Sequence, residues 1–374
     1  MTGRRLARAC SLLWIALAAA ACGSGGSPSR ATPELASGRA IPTRCASGKA
    51  RSKATVTFVA NGHAWALDTR SRRLTCLFGV RAAGPFSWGP RGDRALLARL
   101  EVKSLRRAPA RAPGAVDPSA TSWGRPIGKS IVFVGRHGHA LLKTHPDGGG
   151  FLDVTPVRDA LYKRVVYHPS GLAFAFILKR RGHESVWIST NIGKEPRKLV
   201  HGRFHTGFEA LAFGEGGNSI YFAARHKDNH VDVHTLPLVG ANSAPVLWHG
   251  SPGEHVSDIL PVEALGKRRI ALTVGRSCET ERALIVFQGH SNGVAALPNA
   301  GPSRAVGWID DTQRADLLVA SGGCGRPLDL YAVDSVSLRS RLLVRNVEAA
   351  ATRLPEPFPP PTLPRKLGAR SSFA

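Results

Sequence analysis

Apolar and polar positions alternate with a period near two over most of the chain, and the interruptions are Gly, Pro, Asp and Asn turns with no helical pattern between them. The stretch YHPSGLAFAF, residues 167–176, is representative: a polar corner opens directly into an apolar strand. Related corners appear in FSWGPRGDRALL from Phe86, TSWGRPIGKSIVF from Thr121, LAFGEGGNSIYF from Leu211 and VGWIDDTQRADLLV from Val306. ILPVEALGKRRIALTV from Ile259 keeps the pattern but lacks the aromatic. Turn residues reverse the chain and flanking alternation faces a core, so each segment predicts a two-stranded hairpin.

A third strand follows each hairpin, in HAWALD, HALLKT, SVWIST, VDVHTL, ALIVF and LDLYAV, and a fourth in runs such as RRLTCLF, RKLV and SRLLV. The markers Trp123, Tyr167, Phe213, Leu260 and Trp308 recur every 44 to 48 residues, the spacing of a four-stranded blade. An all-β chain with this period predicts a β-propeller. A single large sandwich is the alternative, but it has no need of one signal at a constant period. The first unit opens on TVTFVA, HAWALD and RRLTCLF, and EAAATRLP near the other end reads as its missing innermost strand. Pairing head with tail closes the ring and removes its free edges. Blade number is six or seven: GPFSWGPRGDRALLARLEV, with the strand-poor KSLRRAPARAPGAVDPSA after it, forms its own blade or shares one with 121–153.

The aromatic-x-Pro-x-Gly corner, its apolar strand and a strand such as LYAVD resemble the TolB-like propeller repeat, whose usual corner is Trp-Ser-Pro-Asp-Gly. The resemblance covers roughly residues 55–355. It implies the blade and no particular function, since such propellers occur in TolB, ahead of hydrolase domains in some peptidases, and in bacterial lipoproteins. The chain has no room for the α/β domain that precedes the TolB propeller, so TolB's Pal partner is not carried over.

The ends carry an address. Arg4, Arg5 and Arg8 precede a short apolar run, which predicts a signal peptide over 1–21. Ala19-Ala20-Ala21-Cys22 resembles a lipobox, which implies a diacylglyceryl anchor on Cys22; ordinary cleavage without lipidation is the alternative. Residues 22–53 read as a flexible tether, 54–355 as the propeller and 356–374 as a Pro-rich basic tail.

Charge sharpens the picture of partners. With 51 Lys and Arg against 26 Asp and Glu, the formal net charge is +25, and loss of the three leader arginines leaves 25 − 3 = +22. The excess is scattered, which favours acidic partners by steering; export argues against nucleic acid. Setting aside Cys10 and Cys22, four cysteines remain in an oxidising compartment. Cys278 and Cys324 occupy the same place, between second and third strands, in consecutive units, so they are expected to bond. Cys45 is then left for Cys76, stapling the tether to the first blade.

No Gly-x-Ser-x-Gly, His-Glu-x-x-His, Walker or Cys-x-x-Cys motif is present, so no catalytic residue is assigned and no cofactor is implied. In RHKDNHVDVH, His230, Asp232 and His234 would share one strand face, an imidazole and carboxylate set suited to zinc. Ligands this close on one strand need a second strand to converge, and solvated histidines on a blade edge are the plainer reading. His168 reads as a turn residue, and Trp88, Trp123 and Trp308 as inter-blade packing. The expected function is a surface-anchored, non-enzymatic propeller binding an envelope protein or anionic envelope polymer. The alternatives are an extracytoplasmic hydrolase or lyase working in the channel, marked by a carboxylate or histidine cluster at its mouth, and an accessory or sensor subunit of a transport system.

Overall fold

The computed structural model describes residues 32–353 apart from short internal stretches, the longest being 112–120. The signal segment, Cys22 and the Pro-rich tail lie outside the described residues. Every described element is a strand.

Among the described residues, seven antiparallel sheets follow one another round a ring, six of four strands and one with a fifth. Blade 1 combines β2 (Val56–Ala60), β3 (His63–Leu67) and β4 (Leu74–Gly79) with β29 (Ala349–Thr352) as innermost strand. Blade 2 holds β5 (Ser87–Trp88), β6 (Arg94–Leu96), β7 (Glu101–Ser104) and β8 (Ala110–Arg111), and blade 3 holds β9 (Thr121–Trp123), β10 (Ile131–Val134), β11 (Leu141–Thr144) and β12 (Leu152–Asp153). Blade 4 is β13 (Leu161–Tyr167), β14 (Ala173–Arg180), β15 (His183–Thr190) and β16 (Arg197–His201); blade 5 is β17 (His205–Phe213), β18 (Ser219–His226), β19 (Val231–Pro237) and β20 (Val246–His249). Blade 6 is β21 (His255–Ala264), β22 (Lys267–Gly275), β23 (Arg282–Phe287) and β24 (Gly293–Val294). Blade 7 is β25 (Ser303–Asp311), β26 (Arg314–Ser321), β27 (Leu328–Asp334) and β28 (Ser340–Val347), with β1 (Glu34–Leu35) added outside β28.

Ring closure follows the expected head-to-tail pairing. Val56 to Val59 face Thr352 to Ala349 in antiparallel register, so the last strand completes the sheet that the first three begin. The strand-poor segment after residue 100 supplies β7 and β8, which settles the open blade number at seven sheets. The structure differs from the sequence reading at the tether. Glu34 and Leu35 pair with Arg345 and Val344, and Leu35 and Ile41 are buried against blades 1 and 7. Leu35 and Ile41 are the apolar exceptions in a polar segment, and each is too isolated for periodicity to register.

Middle strands are buried on both faces, as VTFVA, IVFV and AFAFIL are, because every blade is packed between two others. The core is therefore a set of seams. Separate clusters join blades 7 and 1, 1 and 2, 3 and 4, 4 and 5, 5 and 6, and 6 and 7. The recurring aromatic at the end of an innermost strand clasps the preceding blade. Trp88 Nε1 donates to Thr57 Oγ1 at 2.8 Å, Trp123 Nε1 to Ser87 Oγ at 3.2 Å, and Trp308 Nε1 to the Leu260 carbonyl at 2.8 Å. Bulges on the innermost strands release an amide from the ladder, and the preceding blade accepts it. Phe208 N–H bonds Glu184 Oε2, Val256 N–H bonds Glu209 Oε2, and Ala305 N–H bonds Thr273 Oγ1. Tight hairpins use left-handed residues where the chain must reverse in two positions: Asn61-Gly62 lie at φ 52° and 71°.

Candidate functional site

The two faces of the ring gather different loops. One face gathers the starts of the innermost strands and the hairpins joining second to third strands; the other gathers the first-to-second and third-to-fourth turns. Both follow from the antiparallel order within each blade.

The first face is charged, and its centre lies on the ring axis. Arg164 of β13 donates Nη2 to the Ser257 carbonyl on β21 at 3.0 Å, reaching from blade 4 past blade 5 to blade 6. Such a reach spans the inner edge of blade 5. Beside Ser257, Asp258 is exposed to the channel, yet the protein walls around it push its carboxyl pKa above its ordinary value by partial desolvation, which Arg164 and Arg304 oppose and Glu281 reinforces. Glu281 pairs with Arg304 and receives Ser257 Oγ at 3.4 Å. Further out, Glu209 accepts Arg225 Nε at 2.7 Å and lies 3.1 Å from His255 Nδ1, while Glu254 pairs with Arg282 at 2.7 Å. Thus a carboxylate group does stand at the channel mouth. Sequence reading missed it because Asp258, Glu281 and Glu209 hold no equivalent places in their repeats. The bulge at Ser257, which has no sequence signature, brings Asp258 into the group.

The expected metal-ligand candidates also lie towards this face, on blade 5. His230, Asp232 and His234 do share one face with Asp232 and His234 on β19, and the second strand that convergence requires is β18. Its His226 Nε2 lies 3.1 Å from Asp232 Oδ2. His230 Nε2 lies 3.6 Å from the same oxygen, and its Nδ1 bonds Asp228. On β20, His249 Nδ1 meets Asp232 Oδ1 at 3.0 Å. His226, Asp232 and His234 place one ligand atom each within 4.8 Å of one another. His234 Nδ1 lies 3.0 Å from the Ala244 carbonyl, the ring stacks on Phe222, and burial pushes its pKa below the usual histidine value. His226 belongs to the RHKDNHVDVH constellation but not to the set expected on one strand face; its hairpin pairing with His230 brings it in, because cross-strand partners share a face.

His168 is fully buried. Its Nδ1 lies 2.8 Å from Ser170 Oγ and its Nε2 2.8 Å from the Gly217 carbonyl of blade 5, with its edge against Phe213. It is a seam residue between blades 4 and 5. The structure bonds Cys278 to Cys324, joining equivalent hairpins of blades 6 and 7, and Cys45 to Cys76, joining the incoming segment to β4, with Cα separations of 5.5 Å and 5.6 Å. Stable disulfide pairs are characteristic of proteins that fold under oxidising conditions.

The second face carries exposed apolar side chains. Phe151, Leu152, Leu172 and Ile192 are each about half exposed or more. Their segments adjoin across the seam of blades 3 and 4: Leu152 pairs with Lys143, whose Nζ donates to the Asn191 carbonyl at 3.2 Å, and Asn191 N–H donates to the Leu172 carbonyl at 2.9 Å. Loss of solvent lowers the Lys143 pKa.

No protein-family profile and no curated protein matches the sequence. Among solved structures, a prolyl endopeptidase is similar at a TM-score of 0.55 and 12% identity over 84% of this chain, which spans about half of that protein, 50%. TolB from Acinetobacter baumannii is similar at 0.44 and 12% identity, over 79% of this chain and 66% of that one. A chain of the nidogen–laminin complex is similar at 0.46 and 10% identity, over 81% and 99%. At these identities the likeness is one of fold, the β-propeller.

Proposed function

We propose that the protein is a non-enzymatic, extracytoplasmic binding disk that takes an envelope protein on its apolar face, held at the membrane through lipid on Cys22. The observation that supports this reading is the group Phe151, Leu152, Leu172 and Ile192, exposed on neighbouring turns of one face. Exposed apolar side chains grouped on a rigid scaffold are the usual anchor of a protein contact, and Lys143 together with the chain's positive charge favours an acidic rim on the partner. The axial carboxylates favour a second reading, hydrolysis or elimination in the channel. Against it, Glu281 is bound by Arg304 and Glu209 by Arg225, roles that already account for them.

A photo-crosslinking residue placed at Ile192, and separately at Lys227 on the charged face, tests the reading in intact cells. One protein captured from Ile192 and not from Lys227 is expected. Equal capture from both, capture of polysaccharide alone, or no adduct at Ile192 would overturn it.

A further inference from the structure

The histidine-rich face of blade 5 has a composition that packing does not require. Three rows run across it: His226 beside His230, Ala224 beside Asp232 and then His249, and Phe222 beside His234. The small Ala224 in the middle row leaves the Asp232 carboxylate flanked by imidazoles from three strands. Asp232 is almost wholly buried, at 5% side-chain exposure, whereas His249 is 73% exposed, so the cluster reaches from the interior to solvent.

We propose that His226, Asp232, His234 and His230 form a four-coordinate site for a divalent d-block cation of the zinc type. The distances fit: His226 Nε2 and His230 Nε2 stand 3.1 Å and 3.6 Å from Asp232 Oδ2. Tetrahedral coordination with bonds of about 2.0–2.1 Å places ligand atoms about 3.3 Å apart. The His226, Asp232 and His234 ligand atoms all lie within 4.8 Å of one another, so coordination draws the most distant of them inward by about 1.5 Å. The tautomers fit as well. His234 Nδ1 hydrogen-bonds the Ala244 carbonyl, which makes Nε2 the ligating nitrogen, and Asp228 holds His230 Nδ1 in the same way. His249 occupies the other carboxylate oxygen, Oδ1, leaving Oδ2 for the metal. His226 and His230 stack, with centroids 4.2 Å apart, and both present Nε2 on the side of that oxygen. Carboxylate and imidazole together suit zinc, and one ion would tie β18 to β19 at the end of the blade where their hairpin turns. The site is independent of the apolar face, so it stands or falls apart from the proposed binding role.

Tag-free protein stripped with chelator is titrated with Co2+ and with Zn2+. Expected are the strong visible absorption of tetrahedral cobalt, one Zn2+ per chain by calorimetry, and a higher thermal midpoint with Zn2+. His226→Ala, Asp232→Asn and His234→Ala should each weaken Zn2+ at least about tenfold. Because Asp232 and His234 are buried, His230→Ala serves as the variant that keeps its fold, with the same loss of affinity and the unchanged metal-free midpoint. His145→Ala should bind as the parent does. Absence of Zn2+ binding, or binding that His230→Ala and His226→Ala leave intact, would overturn the site.

Discussion

Thr57 sits where the ring closes, and replacing it by Val isolates the polar part of that closure. Its side chain is fully buried. Oγ1 donates to the Ala351 carbonyl on β29 at 2.7 Å and accepts Trp88 Nε1–H at 2.8 Å, so one hydroxyl links the last strand, the first described strand of blade 1 and blade 2. Val has nearly the shape of Thr, so packing is conserved while Trp88 Nε1–H loses this acceptor and the Ala351 carbonyl, already paired with Thr57 in the β2–β29 ladder, loses its second donor. The buried loss at Trp88 costs about 1–3 kcal/mol. Thr57→Ser is the reciprocal control: it keeps the hydroxyl and removes one methyl, for about 1 kcal/mol. Urea unfolding with disulfides intact, followed by tryptophan fluorescence, compares the two midpoints. Amide exchange at residues 349–352 should quicken in Thr57→Val and hardly change in Thr57→Ser. If Thr57→Val unfolds at the same or higher urea than Thr57→Ser, the hydroxyl does not hold the closure and the reasoning fails.

Three further outcomes are expected. Replacing Cys278 and Cys324 by Ser, which frees a loop of 46 residues, should lower stability by about 4 kcal/mol on chain entropy, read as a fall in the urea midpoint; no change would mean the bond adds nothing to the native ring. Asp258 has a folded pKa above its unfolded one, so the native state binds the extra proton and stability falls as pH rises through that interval. Asp258→Asn should therefore be more stable than the parent at neutral pH and equal to it below pH about 4, by thermal unfolding across pH; a less stable Asn variant at neutral pH would show that Arg164 and Arg304 outweigh desolvation. His168→Ala empties a fully buried site and removes bonds to Ser170 and Gly217, so a loss of about 2–4 kcal/mol is expected by urea unfolding, and a loss under about 1 kcal/mol would contradict its seam role.

What could be read from the chain alone was whatever repeats. Alternation of period two, turns at fixed offsets and an aromatic every blade are local properties of residues such as Trp123, Tyr167 and Trp308, and they determined the four-stranded unit, the ring and the strand that closes it. Equivalent positions of Cys278 and Cys324 were legible for the same reason. Tertiary structure alone decided what does not repeat. Leu35 and Ile41 are single apolar residues whose partners lie hundreds of positions away, so a segment that reads as tether adds a strand to blade 7. The bulge that brings Asp258 to the axis, the reach of Arg164 across two blades and the contact of His226 with Asp232 depend on register and blade order. Sequence spacing does not encode those distances, because they are set by how one sheet turns against the next.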